Sequence, residues 1–242
     1  MNIADSEINF QNQVNNINIP ALIPITNKID RHGIINKLLQ EGAKRTMDLF
    51  GGLAGIILLI PITIILYIAN LIEKDNGPLF YSQLRIGKNG KLFRMWKFRS
   101  MVVGADEKLE EYLKENPEAR EEYRINKKLK NDPRITKIGS FIRKTSIDEI
   151  PQFINVFKGE MSLVGPRPYL PREKKDMGSY YSCITKCKPG LTGYWQVNGR
   201  SEVNFAERLN MDMVYFRGRS FKRDVKLLLL TVKKTIKKDG AI

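Results

Sequence analysis

The chain has 242 residues, enough for one domain with a real core and appendages. Its 41 Lys and Arg outnumber 26 Asp and Glu by 15, so an anionic partner is expected: nucleic acid, a phospholipid surface or a phosphorylated substrate. The single histidine, His32, argues against Ser-His-Asp and Cys-His mechanisms, Cys183 and Cys187 are too few for a structural zinc site and read as reduced thiols, and no dinucleotide fingerprint or P-loop is present.

Residues 1–43 read as a polar N-terminal arm, rich in Asn and Gln and interrupted by Pro20 and Pro24. Asp5 and Glu7 stand where a signal peptide would need positive charge. Ile34, Ile35, Leu38 and Leu39 are spaced for a short amphipathic helical turn.

Residues 44–75 form the membrane segment. No charged side chain occurs from Leu49 to Ile72. These roughly two dozen residues, at about 1.5 Å rise each, would reach across a hydrocarbon core of about 30 Å. Pro61 falls in the middle, where a proline removes a helix hydrogen bond and bends the axis. Lys37, Lys44 and Arg45 precede the segment, and Lys74, Arg85, Lys88 and Lys91 follow it. That symmetry points to a re-entrant helix that breaks near Ile60 and Pro61 and returns to the same face; a plain span is the alternative. Lys44 and Asp48 share a helical face beside Arg45, which allows either an interfacial lysine or a buried structural ion pair.

Residues 76–242 make up the remaining domain. Asn89 and Gly90 between two apolar runs predict a β-hairpin over 78–101. Basic residues concentrate there, with Lys97 and Arg99 as candidate phosphate contacts and a solvated or headgroup-facing hairpin as the bland alternative. Residues 105–131 predict exposed helices interrupted at Pro117.

The stretch 137–168 concentrates the chemistry: Asp148 and Glu149 stand between Arg143 and Arg167, a composition suited to a metal and a phosphate ester. Ser146 and Glu149 have the spacing of a capping box, which would put Asp148 in a first helical turn where N–H groups favour a charged carboxylate. Such a carboxylate can attack phosphorus. Arg167 lies between two prolines, in either a structural turn or a phosphate site. Around Tyr194 and Trp195, three glycines suit a substrate pocket, with Arg200 a further phosphate candidate. Residues 224–238 place Val225, Leu228, Leu229, Val232 and Ile236 on a stripe among many lysines, fitting an interfacial helix or a core-packed one.

The combination of K-R-x-x-D before a proline-broken apolar segment, K-F-R-S-M, R-K-T-S-I-D-E-I-P-Q, S-L-V-G-P-R-P and K-P-G-L-T-G-Y-W-Q-V-N-G-R resembles the bacterial sugar transferases. These are monotopic phosphoglycosyl transferases acting on polyprenol phosphate, and the resemblance runs from about Lys44 to the C-terminus. It implies that Asp148 attacks the sugar-linked phosphate of a UDP-sugar and expels UMP, and that polyprenol phosphate then takes the phosphosugar from the carboxylate. It also implies that Glu149 holds Mg²⁺ and that Arg143 binds phosphate. Magnesium held by a carboxylate and substrate phosphates suits a mechanism without histidine.

The resulting expectation is an α+β protein: a small, mainly helical, membrane-associated catalytic domain with a β-hairpin, a re-entrant helix-break-helix segment and interfacial amphipathic helices. Its partners are a UDP-sugar, with galactose or glucose as the sugar, polyprenyl (undecaprenyl) phosphate and membrane lipids, not nucleic acid, with room for a homo-oligomer. The expected location is the cytoplasmic face of the inner membrane, and the expected role is initiation of surface polysaccharide synthesis. A glycosyltransferase releasing UDP and a noncatalytic basic membrane adaptor are the competing readings.

Overall fold

A computed structural model of the chain describes residues 31–73, 77–199 and 203–237. The chain divides into a unit of residues 1–39 and a unit of residues 40–242; of the first, only 31–39, the opening turns of a helix, are described. Among the described residues the fold is mostly helical with two separate two-stranded sheets.

The first helix, α1, spans Arg31–Ile72. Asp48, Gly52, Gly55, Leu59 and Leu66 recur at helical spacing and are buried, so one face packs on the domain. Glycine is what permits the contact: a Cβ on Gly55 would come within 2.0 Å of the Phe153 ring, and one on Gly52 within 3.1 Å of the Phe157 backbone nitrogen. The other faces carry exposed Phe50, Ile57, Leu58, Ile64, Ile65 and Ile68, an apolar surface of the kind that marks a membrane or protein contact.

The helix break expected at Ile60 and Pro61 is not a break in secondary structure, since α1 is continuous through Pro61. Proline removes one donor, but its ring lies on the exposed side, and Thr63 Oγ1 adds a 2.7 Å hydrogen bond to the Leu59 carbonyl in the same turns. The helix also begins at Arg31, within the stretch expected as a polar arm. Residues 1–30 of that arm lie outside the described residues.

Strands β1 (Phe80–Ile86) and β2 (Leu92–Phe98) form the expected antiparallel hairpin, pairing Ile86 with Leu92 and Phe80 with Phe98. Its turn is longer than a two-residue loop. Gly87 N donates to the Lys91 carbonyl at 2.8 Å, and Asn89 and Gly90 take φ of 57° and 78°, the positive values these residues tolerate. Helices α2 (Ala105–Glu115) and α3 (Pro117–Asn126) follow with the proline at the second helix's first position, where its missing N–H costs nothing. Only Leu109 is buried in this pair, as the absent apolar stripe predicts.

Helix α4 (Lys137–Lys144) is capped by Thr136, whose side chain accepts from Gly139 N, and α5 (Gln152–Lys158) begins after Pro151. Strands β3 (Ser162–Val164) and β4 (Gly190–Thr192) are parallel, bracketing the short helices α6 (Lys174–Met177) and α7 (Tyr181–Ile184). Helix α8 (Tyr194–Asn198) precedes α9 (Phe205–Arg217), which opens with an Asn204 and Glu207 capping box, and α10 (Phe221–Lys237). The main core joins Phe93, Met95, Val156, Met161, Leu163, Val164, Val197, Tyr215 and Leu227, from the hairpin, α5, β3, α8, α9 and α10.

On α10 the packed face is turned from the expected stripe: Asp224 and Leu227 are buried while Leu229 and Val232 are exposed beside Lys226 and Lys233. The reason is polar. Asp224 Oδ2 takes a 2.6 Å ion pair from Lys44, and Asp224 Oδ1 a 2.8 Å hydrogen bond from Tyr215, so the helix is rotated to bring that carboxylate inside.

Candidate active site

Asp148 and Glu149 occupy a single 3₁₀ turn, Ile147–Glu149, between α4 and α5. Ile147 and Ile150 on either side pack against the cluster of Leu59, Leu66, Phe98 and Ile142, so the turn is anchored by apolar neighbours. The expected capping box is not formed. Ser146 adopts the left-handed conformation at φ 58° and makes no side-chain cap, because the backbone closes i to i+3 bonds from Glu149 N to the Ser146 carbonyl and from Ile150 N to the Ile147 carbonyl. Asp148 therefore stands before α5, not in its first turn.

Both carboxylates converge on Lys97 of β2. Its Nζ lies 3.2 Å from Asp148 Oδ2 and 2.9 Å from Glu149 Oε1. The side chains are exposed to different degrees, 8% for Asp148, 40% for Glu149 and 25% for Lys97. Burial pushes the Asp148 carboxyl above the usual range and Glu149 adds to that, outweighing the Lys97 charge. Partial burial also opposes charge on Glu149, but there Lys97 prevails and holds the carboxyl below its ordinary value. The same two acids raise the Lys97 pKa against burial, so the ammonium is kept charged. The sequence offers Lys97 as a phosphate contact; the structure turns it onto the carboxylates.

The lysine's position depends on Asn155, a fully buried residue of α5. Its Oδ1 accepts from Trp96 N at 3.1 Å, and its Nδ2 donates to the Arg94 carbonyl at 2.8 Å and to Glu160 Oε2 at 2.6 Å. That side chain takes the place of a third strand beside β2. A lone Asn in an apolar helix gives little sequence signal for such a role.

Arg143, in the last turn of α4, donates from Nε to Ser100 Oγ at 2.8 Å. Burial pushes its pKa down while the nearby Asp148 charge pulls it up. Gly139 makes this arrangement possible, since a Cβ there would meet the Ser100 carbonyl oxygen at 1.9 Å. Arg167 projects from the Gly-Pro-Arg-Pro loop, where its charge contributes to holding Glu149 ionised. It lies 3.8 Å from Glu173 Oε1 and 5.9 Å from the ring centres of both Tyr169 and Trp195.

That loop is clamped from two sides. Asp212, fully buried in α9, accepts from Arg167 N at 3.0 Å and from the Tyr169 hydroxyl at 2.8 Å, and Arg85 Nη1 donates to the Pro168 carbonyl at 2.8 Å. Burial pushes the Asp212 carboxyl up to about 7, despite these bonds. Burial first, and then the Arg167 charge, lower the Arg85 pKa to about 10. The spacing of the chain gives no hint that Asp212 belongs with Arg167.

Two expectations resolve elsewhere, and a third falls outside the described residues. Arg99 directs its guanidinium to backbone, donating to the Pro78 carbonyl at 2.6 Å and to that of Met101 at 3.1 Å, at the base of the hairpin. Arg200 lies outside the described residues. The basic and acidic residues at the start of the apolar segment are all structural, but not as the Lys44 and Asp48 pair: Lys44 reaches Asp224, while Asp48 accepts from Ser162 Oγ at 2.9 Å and Leu163 N at 2.8 Å. Arg45 donates to the Val156 and Phe157 carbonyls, closing the last turn of α5. Ridged against one domain, these three side chains each take a partner distant in sequence.

Two adjacent carboxylates are hard oxygen donors and fit a Mg²⁺ ion, with Glu149 the more accessible of the pair. No group of three or more His, Cys, Asp or Glu side chains suited to a metal occurs among the described residues, so such an ion would complete its shell from substrate phosphates and water.

A family profile described as bacterial sugar transferase matches residues 39–238. The undecaprenyl-phosphate galactose phosphotransferase of Salmonella typhimurium is 43% identical over 198 residues, covering 82% of this chain and 41% of that protein. The exopolysaccharide production protein ExoY of Rhizobium meliloti is 40% identical over 190 residues, 78% of this chain and 84% of that protein. The UDP-glucose:undecaprenyl-phosphate glucose-1-phosphate transferase of Escherichia coli is 38% identical over 207 residues, 82% of this chain and 40% of that protein. The chain thus spans less than half the length of the Salmonella and Escherichia relatives and most of the length of ExoY. With the profile covering the apolar helix, the hairpin, the carboxylate turn and the clamped arginine loop, the chain belongs to the bacterial sugar transferase family.

Proposed function

We propose that the chain transfers a hexose-1-phosphate from a UDP-sugar to polyprenyl phosphate, initiating a surface polysaccharide at a membrane's cytoplasmic face. The observation that carries this reading is the pairing of Asp148 and Glu149 on one turn, joined by Lys97 and flanked by Arg143. A site of carboxylates and fixed cations without a histidine suits phosphoryl transfer, where positioning and charge stabilisation do most of the work.

In this mechanism an Asp148 carboxylate oxygen attacks the sugar-linked phosphorus, forming a P–O bond as the bond to the bridging oxygen of UMP breaks and UMP leaves with that electron pair. A phosphate oxygen of polyprenyl phosphate then attacks the same phosphorus, the bond to Asp148 breaks, and polyprenyl diphosphate hexose is released with the carboxylate restored. Magnesium, when bound, supplies charge neutralisation to the donor's phosphates, and Glu149 is the residue to hold it. Arg143 and Arg167 orient phosphate oxygens, while Lys97 favours the charged form of the nucleophile and offsets part of the burial that opposes it.

The same reading docks the protein on one face of the bilayer. Within α1, Lys44 bonds Asp224 of α10 and Leu66 packs in the cluster with Phe98 and Ile142, and at about 1.5 Å per residue these two contacts lie about 33 Å apart along the helix. A helix held along that length by the rest of the domain is hard to reconcile with a straight span, which supports a segment that enters and stays on one side. Exposed Leu229 and Val232 with Lys226 and Lys233 on α10 suit an anionic lipid surface.

The test is incubation of purified protein with Mg²⁺, polyprenyl phosphate and a panel of UDP-sugars including UDP-galactose and UDP-glucose. UMP release with one of them is the expected result. Release of UDP would favour a glycosyltransferase instead, and no nucleotide release from any donor would favour a noncatalytic adaptor.

A further inference from the structure

We infer that Lys97 is a positioning residue whose ammonium holds the cation position between Asp148 and Glu149 in the ligand-free protein, and that it yields Glu149 to a divalent cation when the site is loaded. This rests on the proposed function for the meaning of the site, though not for its test.

The geometry is that of an ion held by two donors. One Nζ bridges an oxygen from each carboxylate, at 3.2 Å to Asp148 and 2.9 Å to Glu149. A lysine ammonium is a compact point charge on a flexible stem, closer to a hard metal ion than a planar guanidinium is, and able to withdraw by rotamer change. The acids themselves are adjacent in sequence, so without a cation between them their charges would repel at short range.

The two bridges are unequal in a way that sets the order of release. Glu149 is the outward carboxylate, at 40% exposure against 8% for Asp148, so an arriving ion reaches it first. Lys97 can give up that contact and stay beside Asp148, the more buried of the two carboxylates. The backbone of β2 remains fixed meanwhile, since Asn155 holds Trp96 N and the Arg94 carbonyl on either side.

The consequence concerns metal affinity. With one positive charge already between two negative ones, Lys97, Asp148 and Glu149 together carry one negative unit, and the nearby Arg143 and Arg167 add positive charge that further opposes a divalent ion. No third acid reinforces it among the described residues. The protein alone should therefore bind metal weakly, gaining affinity only when donor phosphates arrive as additional ligands. Lys97 thus guards against a metal-loaded site without substrate.

The test uses Mn²⁺ as probe with the full chain in detergent, without nucleotide or polyprenyl phosphate, following the free-ion electron paramagnetic resonance signal. Lys97→Met is expected to bind Mn²⁺ at least about fivefold more tightly than the unaltered protein, because the competing charge is gone. Lys97→Arg keeps the charge and should stay near the starting affinity, and Lys97→Met combined with Glu149→Gln should lose the gain. Lys97→Gln provides the same comparison should the methionine variant not purify folded, as checked by circular dichroism. Affinity unchanged or weakened by loss of the charge, or a gain that survives Glu149→Gln, would overturn the inference. No turnover enters the measurement, so its failure leaves UMP release untouched, and absence of UMP release does not decide it.

Discussion

Lys44 Nζ lies 2.6 Å from Asp224 Oδ2, tying the start of the apolar helix to α10 across 180 positions of sequence. Asp224 is almost fully buried and also accepts from the Tyr215 hydroxyl at 2.8 Å, while the Lys44 ammonium donates as well to the Val164 carbonyl at 2.8 Å. Removing one partner leaves the other buried and unpaired, which costs more than the pair contributes. Lys44→Met is expected to destabilise the protein by about 3 kcal/mol, whereas Asp224→Asn in the same background should recover part of the loss. Thermal unfolding of the single and double variants in detergent checks this; additive losses would mean that the two side chains act separately.

The fit of α1 on α5 depends on small residues. A Cβ at Gly55 would overlap the Phe153 ring, at 2.0 Å from its nearest atom, and Phe153 also borders the main core. Gly55→Ala is expected to force the helices apart and lower both yield and activity, with a loss of about 1–3 kcal/mol from overpacking. The double variant Gly55→Ala with Phe153→Ala should restore part of the stability, measured by unfolding in detergent. An unaltered Gly55→Ala protein would contradict the close approach.

Asn155 joins the hairpin to the carboxylate turn. Asn155→Ala would leave Trp96 N and the Arg94 carbonyl without this partner in a half-buried setting, costing about 1–3 kcal/mol in all. Because Lys97 follows Trp96, the variant is expected to lose kcat more than it raises KM for the donor. Equal kcat with lowered stability would show that the bond supports the fold without positioning Lys97.

Asp212 gives a dependence on pH with a defined sign. Its carboxyl is raised to about 7 in the folded protein by burial. The folded state therefore binds this proton more tightly than the unfolded state does, and stability attributable to Asp212 falls as pH rises from about 4 to about 7, then levels. Asp212→Asn retains an acceptor for Arg167 N and Tyr169 without the charge. Relative to the original protein it is expected to gain stability across that window, by on the order of 4 kcal/mol at its upper end. Unfolding midpoints of the two proteins at pH 4.5, about 6 and about 8 check the trend; a constant difference would exclude Asp212 as the titrating group.

Much of this site is legible locally. The hairpin follows from Asn89 and Gly90, the break between α2 and α3 from Pro117, and the apolar helix from its uncharged run, because each is set by neighbours within a few residues. The adjacent carboxylates also announce themselves. What sequence does not carry is partner choice over long range: Lys44 reaches Asp224 and not Asp48, Lys97 reaches the carboxylates, and Asp212 reaches the arginine loop. These depend on how elements pack, which periodicity does not encode. The missing capping box at Ser146 shows the same limit at short range, since apolar anchoring of Ile147 and Ile150 favours a 3₁₀ turn over the helix start that the spacing suggests.

In the proposed reaction Asp148 carries the phosphosugar. Its most direct test is intact-protein mass spectrometry after incubation with Mg²⁺ and the UDP-sugar that supports UMP release, with polyprenyl phosphate withheld. A single added hexose phosphate is expected, mapped to Asp148 by peptide fragmentation, removed on addition of polyprenyl phosphate and absent from Asp148→Asn. A fully active protein that never carries the adduct, or an Asp148→Asn variant that still turns over, would contradict it.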